Sequence, residues 1–307
     1  MLNAKDFGAK GDGISDDTQF LQNAIDIAIK EKRELYLPNG IYLITKPLHA
    51  ELSNAEQLTI IGEWPTIKAK NGMDSVINLK SYNAKLHLQR INFDANHKAN
   101  NAINADFNGD EIIFEQITVM YAISDGLNLI GEEAIFTNVV AWENSGNGVN
   151  CISCRKITFF SSNFMQNGKS GIVVDGGKNS DNIVLDNTWS EKNKMYGIHI
   201  TGNVDNTLIQ DGWLELNEKD GIRIDGSNTK ITGFIILGGF KNPNFGVHLT
   251  KNAKDNTIYA NLVYGYTDPK YGNILDENGF NQIIENTYME QFTGKMKHLA
   301  VIHFEGK

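Results

Sequence analysis

A short pattern of hydrophobic positions recurs along the second half of the chain. A glycine is followed by an apolar residue, an arbitrary residue and a second apolar residue. The glycines lie 22 to 26 residues apart, at Gly126, Gly148, Gly171, Gly197, Gly221 and Gly246, with a degenerate copy at Gly272. From the second copy on, a polar residue stands four positions earlier, at Asn144, Asn167, Asn193, Asn217, Asn242 and Asp268. A fixed period near 24 residues predicts stacked structural repeats.

The short alternating runs predict strands rather than helices. In Gly221-Ile-Arg-Ile the two isoleucines would face a core, so Arg223 would face out. Strands of neighbouring repeats lie about 4.8 Å apart, so equivalent residues form columns. We therefore predict an all-β fold, a parallel β-helix (solenoid) of about ten coils. We interpret the asparagine column as a hydrogen-bonded ladder of the scaffold.

The N-terminal region, residues 1–50, carries a different pattern. Apolar residues recur there with helical spacing at Phe20, Leu21, Ala24, Ile25, Ala28 and Ile29. With the acidic start at Asp16, they predict a helix over about 15–31. Residues 34–37, the turn at Pro38-Asn-Gly and residues 41–44 predict a strand pair. We expect residues 1–50 to cap the coils of residues 51–307, all in one domain.

Composition and charge narrow the partners. The net charge of −9 argues against nucleic acid and disfavours an anionic membrane surface, whereas local basic residues would still admit a polyanionic substrate. No apolar stretch approaches about 18 residues, so we expect no membrane span. Cys151 and Cys154 form a lone CxxC without the second ligand pair of a structural zinc site. We interpret them as ordinary buried or turn thiols.

The most specific motif lies near the N-terminus. It runs Lys5-Asp-Phe-Gly-Ala-Lys-Gly-Asp-Gly-Ile-Ser-Asp-Asp-Thr and is followed by the predicted helix and Leu37-Pro-Asn-Gly-Ile-Tyr. Together with the repeats, it resembles the pectate-lyase-like superfamily of single-stranded right-handed β-helices over essentially the whole chain. The superfamily includes polysaccharide lyases, polygalacturonase-like hydrolases, alginate epimerases, fructan transferases and phage tailspike depolymerases. The resemblance therefore implies action on a glycan, while the fold alone leaves the reaction open.

Two subfamily signatures are absent. Alginate epimerases of this superfamily carry Tyr-Gly-x-Asp-Pro-His, whereas Ser124-Asp-Gly-Leu-Asn-Leu lacks the Asp-Pro-His. Polygalacturonase-like hydrolases carry Asn-Thr-Asp-Gly, Asp-Asp, Gly-His-Gly and Arg-Ile-Lys on successive coils. Asp125 and Arg223 would match the first and last of these, but the Asp pair and the His between them are missing. The resemblance therefore argues against both activities.

The outward positions beside the repeat glycines carry the candidate chemistry. They read Asn128, Asn150, Val173, His199, Arg223, His248 and Ile274. His199, Arg223 and His248 would lie on adjacent coils about 5 Å apart. Asp220 precedes and Asp225 follows the Arg223 strand, and Asp175 and Asp276 would share the position of Asp225. We take His199, Arg223, His248, Asp220 and Asp225 as the candidate catalytic residues.

Two reactions fit this set of residues. The alternative is that they are solvated charges on an exposed face, with ordinary ion pairs and no role in catalysis. A β-eliminating lyase needs a cation on the uronate carboxylate, a base for the C5 proton and an acid for the leaving oxygen, for which Arg223 with either histidine would serve. A hydrolase needs two carboxylates about 5–5.5 Å apart if retaining, or about 6.5–9.5 Å if inverting. Asp220 with Asp225, or either with Glu215 or Glu218, would serve.

Trp189 and Trp213 each precede a ladder asparagine by four residues, so they should stack on adjacent coils. The pattern favours packing in the core; exposed, they would form a sugar-binding platform. On that second interpretation they join Asn128, Asn150 and Glu215 as candidate substrate-binding residues. The resemblance admits Ca²⁺ as a cofactor, held by clustered carboxylates, although the chain has no EF-hand or nonapeptide calcium repeat.

The leading interpretation is an enzyme that cleaves a polysaccharide in a groove along the β-helix. The row of basic residues indicates that this polysaccharide is acidic. The alternative is a non-catalytic glycan-binding or structural β-helix of a phage tail or surface adhesin. The expected partner is a polysaccharide, and the expected state is a monomer or a homotrimer. The expected location is extracellular, on a cell surface or in a virion, although the N-terminus has no basic-then-apolar signal peptide.

Overall fold

The computed structural model describes residues 1–178, 180–238, 245–264, 273–289 and 296–297. Asn242, Asp268 and Gly272 of the repeats lie outside the described residues. The fold is nearly all β, a parallel β-solenoid of about ten turns with a helix near the N-terminus, which confirms the predicted class. Two compact units divide it, Met1–Val149 and Asn150–Lys307. Within the described part, no helix is long and apolar enough to cross a membrane.

The first unit contains a 3-10 helix at Ala4–Phe7 and the helix α1 at Thr18–Glu31. Its strands are β1 (Leu2–Asn3), β2 (Asp12–Asp16), β3 (Leu35–Leu37), β4 (Ile41–Ile44), β5 (Leu48–Ser53), β6 (Gln57–Gly62), β7 (Thr66–Ala69), β8 (Met73–Tyr82), β9 (Lys85–Asp94), β10 (Ala99–Met120), β11 (Leu127–Thr137) and β12 (Val140–Trp142).

The second unit carries three short strands in most turns. They are β13 (Val149–Phe160), β14 (Asn163–Met165), β15 (Ile172–Asp175), β16 (Ser180–Asp186), β17 (Trp189–Glu191), β18 (Ile198–Ile200), β19 (Val204–Gln210), β20 (Trp213–Glu215), β21 (Ile222–Ile224), β22 (Thr229–Thr232), β23 (Ile235–Leu237), β24 (Val247–Leu249), β25 (Thr257–Tyr259), β26 (Leu262–Tyr264), β27 (Ile274–Asp276), β28 (Gln282–Ile284), β29 (Thr287–Met289) and β30 (Met296–Lys297).

The helix α1 begins at Thr18 rather than at about 15. The Asp17 carboxylate accepts hydrogen bonds from the backbone N–H groups of Lys10 and Gly11, at 2.7 and 2.9 Å, so it holds the preceding turn instead of capping the helix. The helix buries its apolar face, but Phe20 stays 38% exposed. Its ring covers Gly8, where a Cβ would lie 2.9 Å from the ring, so this position of the N-terminal motif needs glycine.

The predicted strand pair around Pro38-Asn-Gly is wrong. Strand β3 pairs with β1 and β6, and β4 pairs with β2 and β7, with the partners of each strand parallel to it. The turn therefore bends the chain between two sides of one coil. Hydrophobic alternation is the same in a hairpin and at a coil corner, and only the stacking of successive coils decides the partner strand.

The asparagine ladder is confirmed in the second unit. The Asn167 amide donates to Asn193 Oδ1 and the Asn193 amide to Asn217 Oδ1, each at 2.9 Å, and all three side chains are buried. The residue before each ladder asparagine adopts a left-handed backbone, with φ of 57° at Gln166 and 54° at Lys192. The turn therefore aims each amide along the stack. Two further ladders, Asn256 to Asn281 and Asn261 to Asn286, were not recognised from the sequence.

Cys151 and Cys154 are buried, as expected, but they form a disulfide, so their interpretation as free thiols is wrong. Residues three apart on a regular strand point to opposite faces. Ser153 has a left-handed φ of 52° between them, which reverses the alternation and turns both sulfur atoms to the inside.

Candidate functional site

The three residues of the predicted basic row lie in register on neighbouring strands of the second unit. Strand β18 pairs with β21, and β21 with β24, so that His199 faces Arg223 and Arg223 faces His248 in register. The residues on either side of Arg223, Ile222 and Ile224, are fully buried, while Arg223 is half-buried. The alternation therefore turns His199 and Arg223 outward, whereas His248 is only 9% exposed.

The last repeat is shifted by one residue from its predicted frame. His248 pairs with Leu275, and Ile274 pairs with Val247, so Ile274 faces the core instead of the outside. Asp276 pairs with Leu249 and is fully buried, so it does not share the position of Asp225. Its carboxylate accepts a hydrogen bond from the Asn281 amide at 2.8 Å and braces a turn. The shift brings Glu277 to the site, a residue that the sequence reasoning missed.

His199, Arg223 and Asp225 form one continuous hydrogen-bonded group. His199 Nε2 lies 2.8 Å from Asp225 Oδ2, and Arg223 Nη2 lies 3.4 Å from Asp225 Oδ1. Burial alone would raise the pKa of the Asp225 carboxyl, but the hydrogen bonds from His199 and Thr250 and the charge of Arg223 outweigh it and lower that pKa to about 2. Asp225 is therefore an ionised acceptor at any ordinary pH.

His248 is held between two carboxylates. Its Nδ1 lies 3.0 Å from Asp220 Oδ2, and its Nε2 lies 2.9 Å from Glu277 Oε1. Burial would lower the pKa of the ring, but the hydrogen bonds to Asp220 and Glu277 outweigh it and raise that pKa. The pKa of Glu277 is lowered in turn, since the bond from His248 outweighs burial. These contacts favour the protonated imidazole, although Arg223 Nη1, also a donor, lies 3.3 Å from the same Nδ1.

Asp220 bonds both to the backbone of the next coil and to His248. Its Oδ1 accepts from the backbone N–H of Phe245 at 2.9 Å, before the glycine of the next coil. Asp125 makes the same contact in the first unit, where its Oδ1 accepts from Asn147 N, also before a repeat glycine, at 2.6 Å. Asp220 is 5% exposed, and its other oxygen holds His248. Asp220 is therefore placed to position His248 and the turn before Gly246.

Aromatic rings border the basic row. The Tyr196 ring lies 4.9 Å from the His199 ring and 5.6 Å from the Arg223 guanidinium carbon. Burial raises the pKa of the Tyr196 hydroxyl, so it stays protonated and can donate. The Phe245 ring lies 5.1 Å from His248. Both aromatics stand directly before a repeat glycine, and this recurrence was the signal that could have identified them.

The predicted substrate-binding residues lie apart from this cluster. Trp189 and Trp213 face each other in register on β17 and β20, with Glu215 on the latter strand. Trp189 is 49% exposed, so the prediction of core packing is wrong. Asn150 lies on β13, which pairs with β15, the strand that precedes His199 in the stack. Asn128, in the first unit, donates to Asn104 Oδ1 at 3.4 Å.

The carboxylates of the cluster are shared among basic side chains. In the described part of the chain, no group of three or more His, Cys, Asp and Glu side chains is arranged to hold a metal ion. The geometry instead places the Asp225 carboxylate against the His199 imidazole, beside Arg223, His248 and the Tyr196 phenol. This arrangement can bind an anion and move a proton.

Solved structures share this fold. The Dettilon tailspike protein matches 94% of this chain and 62% of its own, with a TM-score of 0.75 and 13% identity. The A-module of the Azotobacter vinelandii mannuronan C-5 epimerase AlgE6 matches 96% of each chain, with a TM-score of 0.65 and 19% identity. At these identities the likeness shows the fold alone.

Sequence comparisons identify a family and short matches to curated proteins. The family model described as rhamnogalacturonase A/epimerase, pectate lyase-like, matches residues 1–264. Plasmin and fibronectin-binding protein A of Streptococcus pneumoniae (strain ATCC BAA-255 / R6) is 41% identical over 66 residues, which is 20% of this chain and 9% of that protein. The matches to curated relatives span only 5 to 11% of those proteins' lengths.

Proposed function

The chain belongs to the family described as rhamnogalacturonase A/epimerase, pectate lyase-like, and we propose that it binds an acidic polysaccharide along β18, β21 and β24. We propose further, from the residues of the site, that it cleaves this polysaccharide by β-elimination. One observation carries the proposal: His199, Arg223 and His248 stand in register on neighbouring strands, each in contact with a carboxylate. On a chain whose net charge is −9, this row of basic side chains is where a polyanionic substrate would bind.

His199 is the proposed base. The Asp225 carboxylate can only accept a hydrogen bond, so the neutral imidazole carries its proton on Nε2 and its lone pair on Nδ1. This is the tautomer that a base for the C5 proton of a uronate needs. Asp225 does not titrate near neutral pH, so it holds the ring in this state and stabilises the imidazolium that forms.

Arg223 and His248 supply the positive charge. In β-elimination the C5–H and C4–O bonds break and a C4=C5 double bond forms, while negative charge develops on the uronate carboxylate. The Arg223 guanidinium, which is always charged, can bind that carboxylate, and a protonated His248 would add its charge from the neighbouring strand. The Tyr196 hydroxyl, whose raised pKa keeps it protonated, is the proposed donor to the leaving oxygen.

The protonation of the carboxylates favours elimination over hydrolysis. A glycosidase needs one carboxyl that is still protonated to act as the acid. The pKa of Asp225 is lowered to about 2 and that of Glu277 is also lowered, so neither can be that acid near neutral pH. Asp220 is committed on both oxygens, to Phe245 N and to His248.

The relatives support a role in carbohydrate chemistry and a location outside the cell. One structural neighbour is a tailspike and another is a mannuronan C-5 epimerase module. We extend the proposal to an extracellular, cell-surface or virion location and to a monomer or homotrimer. Sedimentation velocity would distinguish these two states.

The test measures product release from polygalacturonate, alginate and a panel of bacterial capsules. Ultraviolet absorbance of the new C4=C5 bond reports elimination, and reducing ends without that absorbance report hydrolysis. We expect His199→Gln to abolish release while polymer binding remains, and Arg223→Ala to weaken binding. His97→Gln, an exposed histidine of the first unit, should behave like the wild type. Reducing ends without absorbance, or a fully active His199→Gln, would refute elimination at this site.

The second candidate is a non-catalytic glycan-binding protein. The observation in its favour is that Asp220, Asp225 and Glu277 all bond to basic side chains, as in a surface built for binding rather than turnover. The short match to a plasmin and fibronectin-binding protein, which is named for binding and not for turnover, agrees with a non-catalytic role. Binding to a panel polymer that Arg223→Ala abolishes, with no product from any polymer, would establish it.

A further inference from the structure

A pair of indole rings lies on the outer surface of the second unit, on strands that the basic row does not use. Trp189 and Trp213 occupy the first positions of β17 and β20, with ring centroids 6.2 Å apart and ring planes 34° apart. The residues that follow them, Ser190 and Leu214, are buried at 1% and 0% exposure. Strand alternation therefore places both rings on the outside, and Trp189 keeps half of its surface in solvent.

The Trp213 ring is held by a hydrogen bond, and the Trp189 ring packs beside it. The Trp213 indole N–H donates to Glu215 Oε2 at 3.1 Å, two residues along the same strand face. Glu191 faces Glu215 in register on the neighbouring coil, so two carboxylates run beside the two indoles. Lys192 lies 3.5 Å from Glu191 and offsets part of this charge. An exposed aromatic pair with fixed orientation and adjacent acceptors is preorganised for a ligand.

The chemistry of this surface selects its ligand. Indole faces pack against the C–H faces of pyranose rings, and carboxylate oxygens accept hydrogen bonds from sugar hydroxyls. The same carboxylates repel a uronate, because like charges at close range cost binding energy. We propose that Trp189, Trp213, Glu191 and Glu215 form a second carbohydrate-binding surface, for neutral sugars. It goes beyond the proposed function, since it uses other strands and another class of ligand.

The experiment is native gel electrophoresis in gels that contain dextran, galactomannan or hydroxyethylcellulose, with alginate as the acidic polymer. We expect at least one neutral polymer to retard the wild type. Trp189→Ala and Trp213→Ala should each weaken that affinity roughly fivefold or more. The matched control is Trp64→Ala, since Trp64 is 48% exposed but lies in the first unit, and its retardation should equal that of the wild type.

Two further variants separate loss of binding from loss of folding. Trp189→Phe keeps an aromatic ring and should lose less affinity than Trp189→Ala, with an unchanged circular dichroism spectrum. The double variant Glu191→Gln with Glu215→Gln keeps an acceptor for the indole N–H but removes both charges. It should keep its retardation by the neutral polymer and gain retardation by alginate.

The outcomes are distinct from those for the basic row. No retardation of the wild type by any of the three neutral polymers would overturn the inference, as would an equal loss in Trp64→Ala. Arg223→Ala should keep its retardation by the neutral polymer, whatever happens to release of uronate products. Failure of the proposed lyase activity therefore leaves this result unaffected, and failure of neutral-sugar binding leaves the lyase test unaffected.

Discussion

Replacing Asn193 by alanine should unfold the second unit at markedly lower denaturant. The Asn193 side chain is fully buried. Its Oδ1 accepts from the backbone and the amide of Asn167, at 3.0 and 2.9 Å, and its Nδ2 donates to Asn217 Oδ1, Phe164 O and Ser190 Oγ, at 2.9 to 3.0 Å. An amide has two N–H groups, so about four of these bonds form at once. At about 1 kcal/mol each, the variant should lose about 4 kcal/mol.

The assay is urea unfolding followed by far-ultraviolet circular dichroism. Asn193→Asp removes only the donating N–H groups and places a carboxylate against the oxygens of Asn217 and Phe164. It should lower the unfolding free energy at least as much as Asn193→Ala. Asn23→Ala, at an exposed position of α1, is the control and should change stability by less than about 0.5 kcal/mol. A loss below about 1 kcal/mol in Asn193→Ala would refute the view that the ladder stabilises the coils.

Three other outcomes follow from the contacts. The pKa of Asp225 is lowered from 3.8 to about 2, so the ionised carboxylate adds about 2 kcal/mol of stability above about pH 4, and this is lost as the pH falls towards 2. In Asp225→Asn, the unfolding free energy should therefore fall less steeply between pH 5 and 2.5 than in the wild type. The pKa of His248 is raised, so the stability that its protonated ring adds is present below about pH 6.5 and is lost as the pH rises through the folded pKa. The difference in unfolding free energy between the wild type and His248→Gln should therefore shrink from pH 5.5 to 8.5. A difference that stays constant would contradict the bonding of His248 to Asp220 and Glu277. Alkylation of the unfolded, unreduced chain should label neither Cys151 nor Cys154, and labelling of both would exclude the disulfide.

The basic row could be predicted because it depends only on periodicity. Once the glycines set the frame, His199, Arg223 and His248 had to share one outward column, and the register confirms it. The frame failed at the degenerate last copy, where one extra residue moved Ile274 inward and brought Glu277 beside His248. Periodicity fixes a column only while the coil length holds.

The protonation states and partners could not be predicted in the same way. Asp220 and Asp225 both flank the Arg223 strand in sequence, but one braces a turn and clamps His248, while the other orients His199. Which carboxylate contacts which imidazole depends on the conformations of the turns between strands. The hydrophobic alternation contains no information about those turns. The exposure of Trp189 was mispredicted for the same reason, since a left-handed residue beside each strand resets which face comes next.

The sequence alone therefore determined the class of fold, the ladder and the outward basic row, because each follows from a repeat that every coil obeys. Only the tertiary structure decided which residues hold protons, which are scaffold and which rings meet solvent. Those properties come from contacts between coils about 25 residues apart in the chain, where a single left-handed turn or an added residue changes the partner.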